Sequence, residues 1–394
     1  MASSSNTSRN PIRTIHYPIL LGSLAFVFLE FALPIFGREL DATAIQIGGL
    51  FSIWALAVAA IRPFVGIGLD RFGRKLFFVF ASICFAASMI VFALAKDLWG
   101  LFGGQLLRGL GSSMMWISAY TIATDISGSN HRGGAVGHVD EASARGQLYG
   151  GISGFVLFSL LPEDISWPVI FGGYALMAAL GVYLGWKHVP ETKPTEVLIG
   201  AQEGRLSKDL YKLMAIVFVT AASRTMIRPI FLIFLLDRFQ PSIIIMVLAI
   251  IPAGIVAGFL PSRLGKLSDR FGRTGLMGIG LLASGVLSFF LPLLPSLIWV
   301  SLLWTIETVG WSVAAPAEEA MVADLTGKRV RGRGYGLYTL ATSLGAIAGP
   351  LMGGWVYDAI GEQVPFFLNG IVLLCGAILV PILLRRPKSS AQPG

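Results

Sequence analysis

Apolar residues in this chain come in long, nearly unbroken runs. They show neither the three-and-four spacing of a surface helix nor the strict alternation of a half-buried strand. Roughly 20 apolar residues in a helix cross the hydrocarbon core of a bilayer. Twelve such runs can be marked, at 18–37, 45–69, 76–95, 99–126, 134–160, 167–186, 213–236, 242–260, 275–294, 297–322, 334–360 and 365–384, here called spans 1 to 12. A backbone in lipid must satisfy its own hydrogen bonds, and runs this long do so as helices, not as ten-residue barrel strands. The expected fold class is all-α integral membrane, with twelve transmembrane helices.

Composition agrees: 55% of the residues are hydrophobic and 13% charged, against about 25% charged in a soluble chain. The net charge of +8 does not indicate nucleic acid, because the basic residues sit in short loops between apolar runs. Of 30 Lys and Arg, 22 lie in the N-terminus, the C-terminus, the 187–212 stretch and the loops following the other even-numbered spans; only Arg38, Lys96 and Arg238 lie in the opposite loops. This asymmetry places both termini in the cytoplasm of a multi-pass cell-membrane protein. Residues 1–17 lack a small-residue cleavage site before an apolar core, so span 1 reads as its own insertion signal. Cys84 and Cys375 lie inside apolar runs and read as packing residues.

The chain also repeats itself. GIGLDRFGRK (Gly66–Lys75) returns as GKLSDRFGRT (Gly265–Thr274), which takes Asp70 to Asp269, an offset of 199. The same offset takes Asp125 to Asp324, Arg132 to Arg331, Gly137 to Gly336, and Gly146, Gly150 and Gly154 to Gly345, Gly349 and Gly353. One register for all of these means two homologous halves. Six being even, the halves share one orientation in the membrane. The domains are then a six-helix bundle at 1–186, a cytoplasmic linker at 187–212, and a second six-helix bundle with a short tail at 213–394.

With these motifs the chain resembles the major facilitator superfamily. The loop motif after span 2, with Gly66, Asp70, Arg71, Gly73 and Arg74, is that family's most specific signature; it recurs as Gly265, Asp269, Arg270, Gly272 and Arg273. Arg108 in LLRGLGSS resembles the family's span 4 arginine motif. GAIAGPLMGG (Gly345–Gly354, with Pro350) resembles the Gly-Pro motif of proton-coupled drug and metabolite exporters. In those exporters that motif stands on span 5; here it stands on span 11, and Gly151 takes the proline's place on span 5. Pro190, Glu191 and Thr192 resemble a sugar-porter motif. The resemblance implies that Asp70 faces the start of span 11 near Gly332 and Gly334, and Asp269 the start of span 5 near Gly133 and Gly134. Backbone N–H groups at a helix start accept a carboxylate. With Asp125 and Asp324, these residues would form a latch present only when the cytoplasmic side is closed.

Charges inside the spans are the candidate transport residues: Glu30, Arg108, Glu141, Arg145, Arg224, Arg228 and Glu307, with Arg62 and Asp140 beside them. A charge at mid-bilayer costs at least about 2.5 kcal/mol, so it must face a cavity or a partner. The offset takes Arg108 to Glu307, opposite charges in equivalent places. The resemblance puts spans 1, 4, 7 and 10 around a central cavity, with expected pairings of Glu30 with Arg108 and of Glu307 with Arg224 or Arg228. Glu141 and Arg145 are four apart and can pair along one helix. No role is assigned to Glu318 or Glu319. Gly146, Gly150, Gly154, Gly345, Gly349 and Gly353 form small-residue stripes that allow close helix packing in lipid.

There is no phosphate-binding loop, catalytic triad or metal motif, so no cofactor, metal or enzymatic activity is expected. The sequence reads as a monomeric secondary transporter of a small-molecule substrate, coupled to protons and working in export. Proton-coupled uptake is the alternative within transport. A non-transporting membrane receptor is the alternative outside it.

Overall fold

The computed structural model describes residues 13–127, 132–192, 206–260 and 273–383. These residues form twelve α-helices and one 3-10 turn, with no strand among them: α1 (Arg13–Ser23), α2 (Ala25–Glu39), α3 (Ala44–Phe72), α4 (Arg74–Leu94), α5 (Leu98–Ser127), α6 (Arg132–Leu160), α7 (Glu163–His188), α8 (Lys208–Phe239), α9 (Ile243–Phe259), α10 (Arg273–Phe290), α11 (Leu297–Ala359) and α12 (Val364–Leu383). α1 and α2 together make one apolar stretch.

Local chemistry sets the helix ends. Gly73, at φ 97°, breaks the chain between α3 and α4, a backbone state only glycine enters cheaply. The Ser207 side chain accepts from the Leu210 N–H at the start of α8, with Asp209 in the first turn, both favourable at a helix N-terminus. Gln240 closes α8 in the left-handed conformation.

The helix boundaries differ from the sequence reading at span 11. Helix α11 runs on from span 10 through Gly332 and Gly334 into span 11, with no loop residue between the two. The run nonetheless reverses. Residues 20 apart in a straight helix lie about 30 Å apart, yet the Tyr338 hydroxyl donates to Glu318 Oε1 at 3.0 Å. The fold-back lies at Thr326–Gly334, where the Thr326 side chain sits against the glycine's bare face. Residues 297–326 and 334–359 are called the two limbs of α11.

Eight stretches are long and apolar enough to cross a membrane: Thr14–Glu39, Ala44–Leu69, Arg74–Leu94, Asp164–His188, Lys208–Phe239, Arg273–Leu293, Leu297–Thr326 and Val364–Leu383. The other four expected spans, 4, 5, 8 and 11, fall outside. Span 8 is a helix of 17 residues. The others carry glycine, hydroxyl and charged residues that lower their hydropathy. Large apolar side chains such as Leu94, Trp99 and Leu160 lie 72%, 80% and 74% exposed. A water-soluble surface would not carry so many; lipid explains them.

The chain divides into two compact units. The first holds residues 1–42 and 53–199. Its core joins Ile15 and Ile19 of α1, Phe78 and Phe85 of α4, Met114 and Ile122 of α5, and Val139 of α6. The second holds residues 43–52 and 200–394. Its core joins Leu213 and Val217 of α8, Met277 and Leu281 of α10, Ala317 and Met321 of α11, and Leu373 and Val380 of α12. Within the second unit, Asp358 at the end of α11 accepts from the Ala44 and Ile45 N–H groups, at 3.1 and 2.8 Å.

Candidate functional site

The repeated loop motif forms a matched pair of ion pairs. In the first unit Arg74 Nε lies 3.1 Å from Asp125 Oδ2, tying the start of α4 to the end of α5. In the second, Arg273 pairs with Asp324, tying the start of α10 to the first limb of α11; the same guanidinium donates to the Ala320 carbonyl. Both pairs keep the 199-residue offset. Glu191 adds a further contact in the first unit. Its carboxylate accepts from the Arg74 N–H at 2.8 Å and the Lys75 N–H at 3.2 Å, capping α4. A side chain at Gly73 would collide with this carboxylate, a second reason for glycine there. Arg71 lies over the Phe72 ring, while Gly66 faces open space. Asp70 lies within α3. Gly265, Asp269, Arg270 and Gly272 fall outside the described residues.

Both glycine stripes are places of close helix approach. A Cβ at Gly146 or Gly150 would run into the carbonyl of Leu20 or Leu24, and one at Gly154 into the Phe28 ring. Tyr174 of α7 reaches into the same seam, its hydroxyl donating to the Gly150 carbonyl at 2.6 Å. In the second unit Gly345, Gly349 and Gly353 meet Ala221, Ala222 and Met226 of α8. The Thr225 hydroxyl lies 3.0 Å from the Gly345 carbonyl. Pro350 lies in the same limb of α11.

The charged residues inside the helices sort by unit. In the first, Arg108 is buried, donates to Gln105 Oε1 at 3.0 Å and lies over the rings of Phe26 and Trp54. Glu30 lies part-buried on α2. Glu141 and Arg145 pair at 2.5 Å along α6, both accessible, and His138 lies 3.5 Å from Glu141. Asp140 accepts from the Tyr120 hydroxyl at 2.6 Å.

In the second unit Arg224 lies 4.3 Å from the Trp311 ring centroid, a cation–π contact linking α8 to the first limb of α11. Arg224 also interacts electrostatically with Arg228, Glu307, Glu318 and Tyr338. Arg224 and Arg228 are accessible, Glu307 is part-buried, and Glu318 is only 4% exposed. A second buried network joins three helices: Ser223 donates to Asn369 Oδ1 at 2.6 Å, and Asn369 Nδ2 to Ser288 Oγ at 3.0 Å. Sequence reasoning missed Glu318, Tyr338, Trp311 and Asn369. Glu318 had one available signal: it lies 11 residues after Glu307, close to three helical turns, so the two share a helix face.

The family model of the Major Facilitator Superfamily matches residues 19–210 and 213–393. The chain belongs to the Major Facilitator Superfamily. Among relatives, Multidrug resistance protein 1 of Bacillus subtilis (strain 168) is 26% identical over 385 residues, covering 93% of this chain and 96% of that one. Quinolone resistance protein NorA of Staphylococcus aureus is 24% identical over 383 residues, covering 94% and 96%. The crystal structure of the nucleoside transporter NupG, as a D323A mutant, superposes with a TM-score of 0.77 at 14% identity, covering 96% of this chain and all of that one. It shares the Major Facilitator fold. The chain is thus a multi-pass membrane transporter of small molecules, not an enzyme. The paired Arg74–Asp125 and Arg273–Asp324 contacts are the three-dimensional counterpart of the repeated loop through which its sequence resembles this superfamily.

Proposed function

We propose that this chain exports a small organic solute across the cytoplasmic membrane by alternating access, driven by proton entry. In this reading it spans the membrane twelve times as a monomer. Two pseudo-symmetric six-helix bundles, 1–186 and 213–394, are joined by the linker 187–212, and both termini are cytoplasmic. Support for the two halves comes from the 199-residue register, kept by both loop ion pairs, and from the family match, which breaks between residues 210 and 213. Support for export comes from the relatives, whose names describe multidrug and quinolone resistance.

One observation carries the mechanism: Arg224, stacked on Trp311, interacts with Glu307 in the middle of membrane-crossing helices while remaining accessible. An arginine there in lipid would be costly, so it lines a water-filled path. In this reading the Glu307 carboxylate gives up its proton when movement brings it closer to the arginine, and takes one up when movement separates the two in a low-dielectric site. Access switching thereby couples proton entry to substrate exit. Glu307 and Glu30 are the proposed carriers, with Arg108, Arg224 and Arg228 as the tuning charges. Arg74–Asp125 and Arg273–Asp324, with Asp70 and Asp269, brace the cytoplasmic side.

The test is transport in proteoliposomes, screened over a panel of drug-like cations, anions and neutral metabolites with and without an imposed pH gradient. The expected result is substrate movement against its own gradient, opposite in direction to proton flow. It should be lost in Glu307→Gln or Glu30→Gln while substrate exchange without a gradient persists. Movement in the same direction as protons would replace export by uptake. Gradient-driven flux surviving in both variants would remove both carriers.

A further inference from the structure

Glu307 is not the only carboxylate on its face of α11. Glu318 follows 11 residues later, about 16 Å along the helix and within about 20° of the same face. The two differ in access: Glu307 is part-buried, whereas Glu318 is 4% exposed. Glu318 is held by one hydrogen bond, from the Tyr338 hydroxyl on the second limb of α11, at 3.0 Å. No ion pair within 4.0 Å is made to it among the described residues. Burying a carboxylate without a full counter-charge is costly, and the group is kept where its protonation is used or its bonding is complete. The phenol serves one carboxylate oxygen, Oε1, and is the side-chain donor that holds the group.

The groups acting on Glu318 from neighbouring elements are Arg224 on α8, Tyr338 across the fold-back, and Glu319 beside it. Tyr335 reaches the Glu319 carbonyl rather than its carboxylate. From α10, Arg273 is committed to Asp324 and the Ala320 carbonyl. Arg224 also interacts with Glu307, so one arginine serves both carboxylates. Pro316 stands between them and removes a backbone donor from the helix, making that stretch the place where the first limb can bend.

We propose that Glu318 is an occluded proton-binding residue of the second unit, gated by its Tyr338 hydrogen bond and linked through Arg224 to the part-buried Glu307. A proton on Glu307, the less buried of the two, exchanges with water more readily. One on Glu318 is released only when the two limbs of α11 part and the phenol bond opens, so Glu318 reports the position of the limbs. The inference rests on the proton-coupled reading above.

Infrared difference spectroscopy of the purified full-length chain in lipid nanodiscs, titrated over pH without substrate, reads protonated buried carboxyls directly. The wild type is expected to show two titrating carboxyl bands. Glu318→Gln should remove the band insensitive to rapid hydrogen–deuterium exchange, and Glu307→Gln the exchangeable one. Tyr338→Phe takes a donor from the ionised form, so the Glu318 band should persist to higher pH, by about one unit. A Glu318→Gln spectrum identical to wild type overturns the proposal. If that variant does not fold, an unchanged band in Tyr338→Phe overturns it instead. In the proteoliposome assay, wild-type pH-gradient drive that survives Glu318→Gln at full rate also overturns it, while leaving proton-coupled export standing. A wild type that shows both bands but no gradient drive in that assay fails the export reading, and Glu318's transport role with it.

Discussion

Gly349 has no room for even one added methyl group, because a Cβ there meets the Ala222 carbonyl and the Thr225 hydroxyl. Its partner by the 199-residue offset, Gly150, meets the Leu24 backbone in the same way. Valine at either position should lower the thermal midpoint of the detergent-solubilised protein, since overpacking costs about 1–3 kcal/mol. Gly336, with nothing within 4 Å of a Cβ, is the control: Gly336→Ala should leave the midpoint unchanged or raise it, because alanine favours a helix by about 1 kcal/mol. Equal destabilisation at all three sites would mean that the stripes are not contact seams. The stripes were legible in the sequence because spacing by four is a one-dimensional signal. Glu318 was not. What sets it apart from Glu319 is its hydrogen bond to Tyr338 across a fold-back, and residue spacing alone does not show where a helix reverses.

The start of α4 depends on one side chain from far along the chain. Glu191, more than a hundred residues away, fills the place of an N-cap by accepting from Arg74 and Lys75. A carboxylate there gains about 0.3–2 kcal/mol from the helix dipole. Glu191→Gln should therefore speed amide exchange at Arg74 and Lys75 by about 2- to 30-fold. Exchange at the equivalent start of α10, which Arg273 begins, should not change. Mass-resolved hydrogen exchange would read both; no change at Arg74 would remove the capping role. Among the elements, the apolar runs showed where helices lie because hydropathy acts residue by residue. Helix continuity was less visible. Gly332 and Gly334 look like a separate helix start in sequence, yet the helical run passes through them and reverses beside them, a change of direction that glycine's backbone freedom permits.

For the whole molecule, the excess of Lys and Arg on one side predicts which faces meet the cytoplasm. With Cys84 and Cys375 replaced by serine, single cysteines introduced at 195 or 200 should resist a membrane-impermeant thiol reagent added to intact cells, while one at Asp164 should react. Labelling in the 193–205 stretch from outside would reverse the assignment. The repeat was visible in sequence as a constant offset, and two ion pairs, Arg74–Asp125 and Arg273–Asp324, keep it. Two other contacts nearly do. Tyr120 donates to Asp140, and Tyr338 donates to Glu318, each across 20 residues, one position out of register between the halves. In the first half the phenol comes before the carboxylate in the chain; in the second the order is inverted. If the halves arose by duplication, this bond was not copied as a pair of letters. Either it was made twice, or both ends were rewritten while the link survived. Tracing the ancestry of such halves by aligning residues would miss it; aligning who touches whom would recover it.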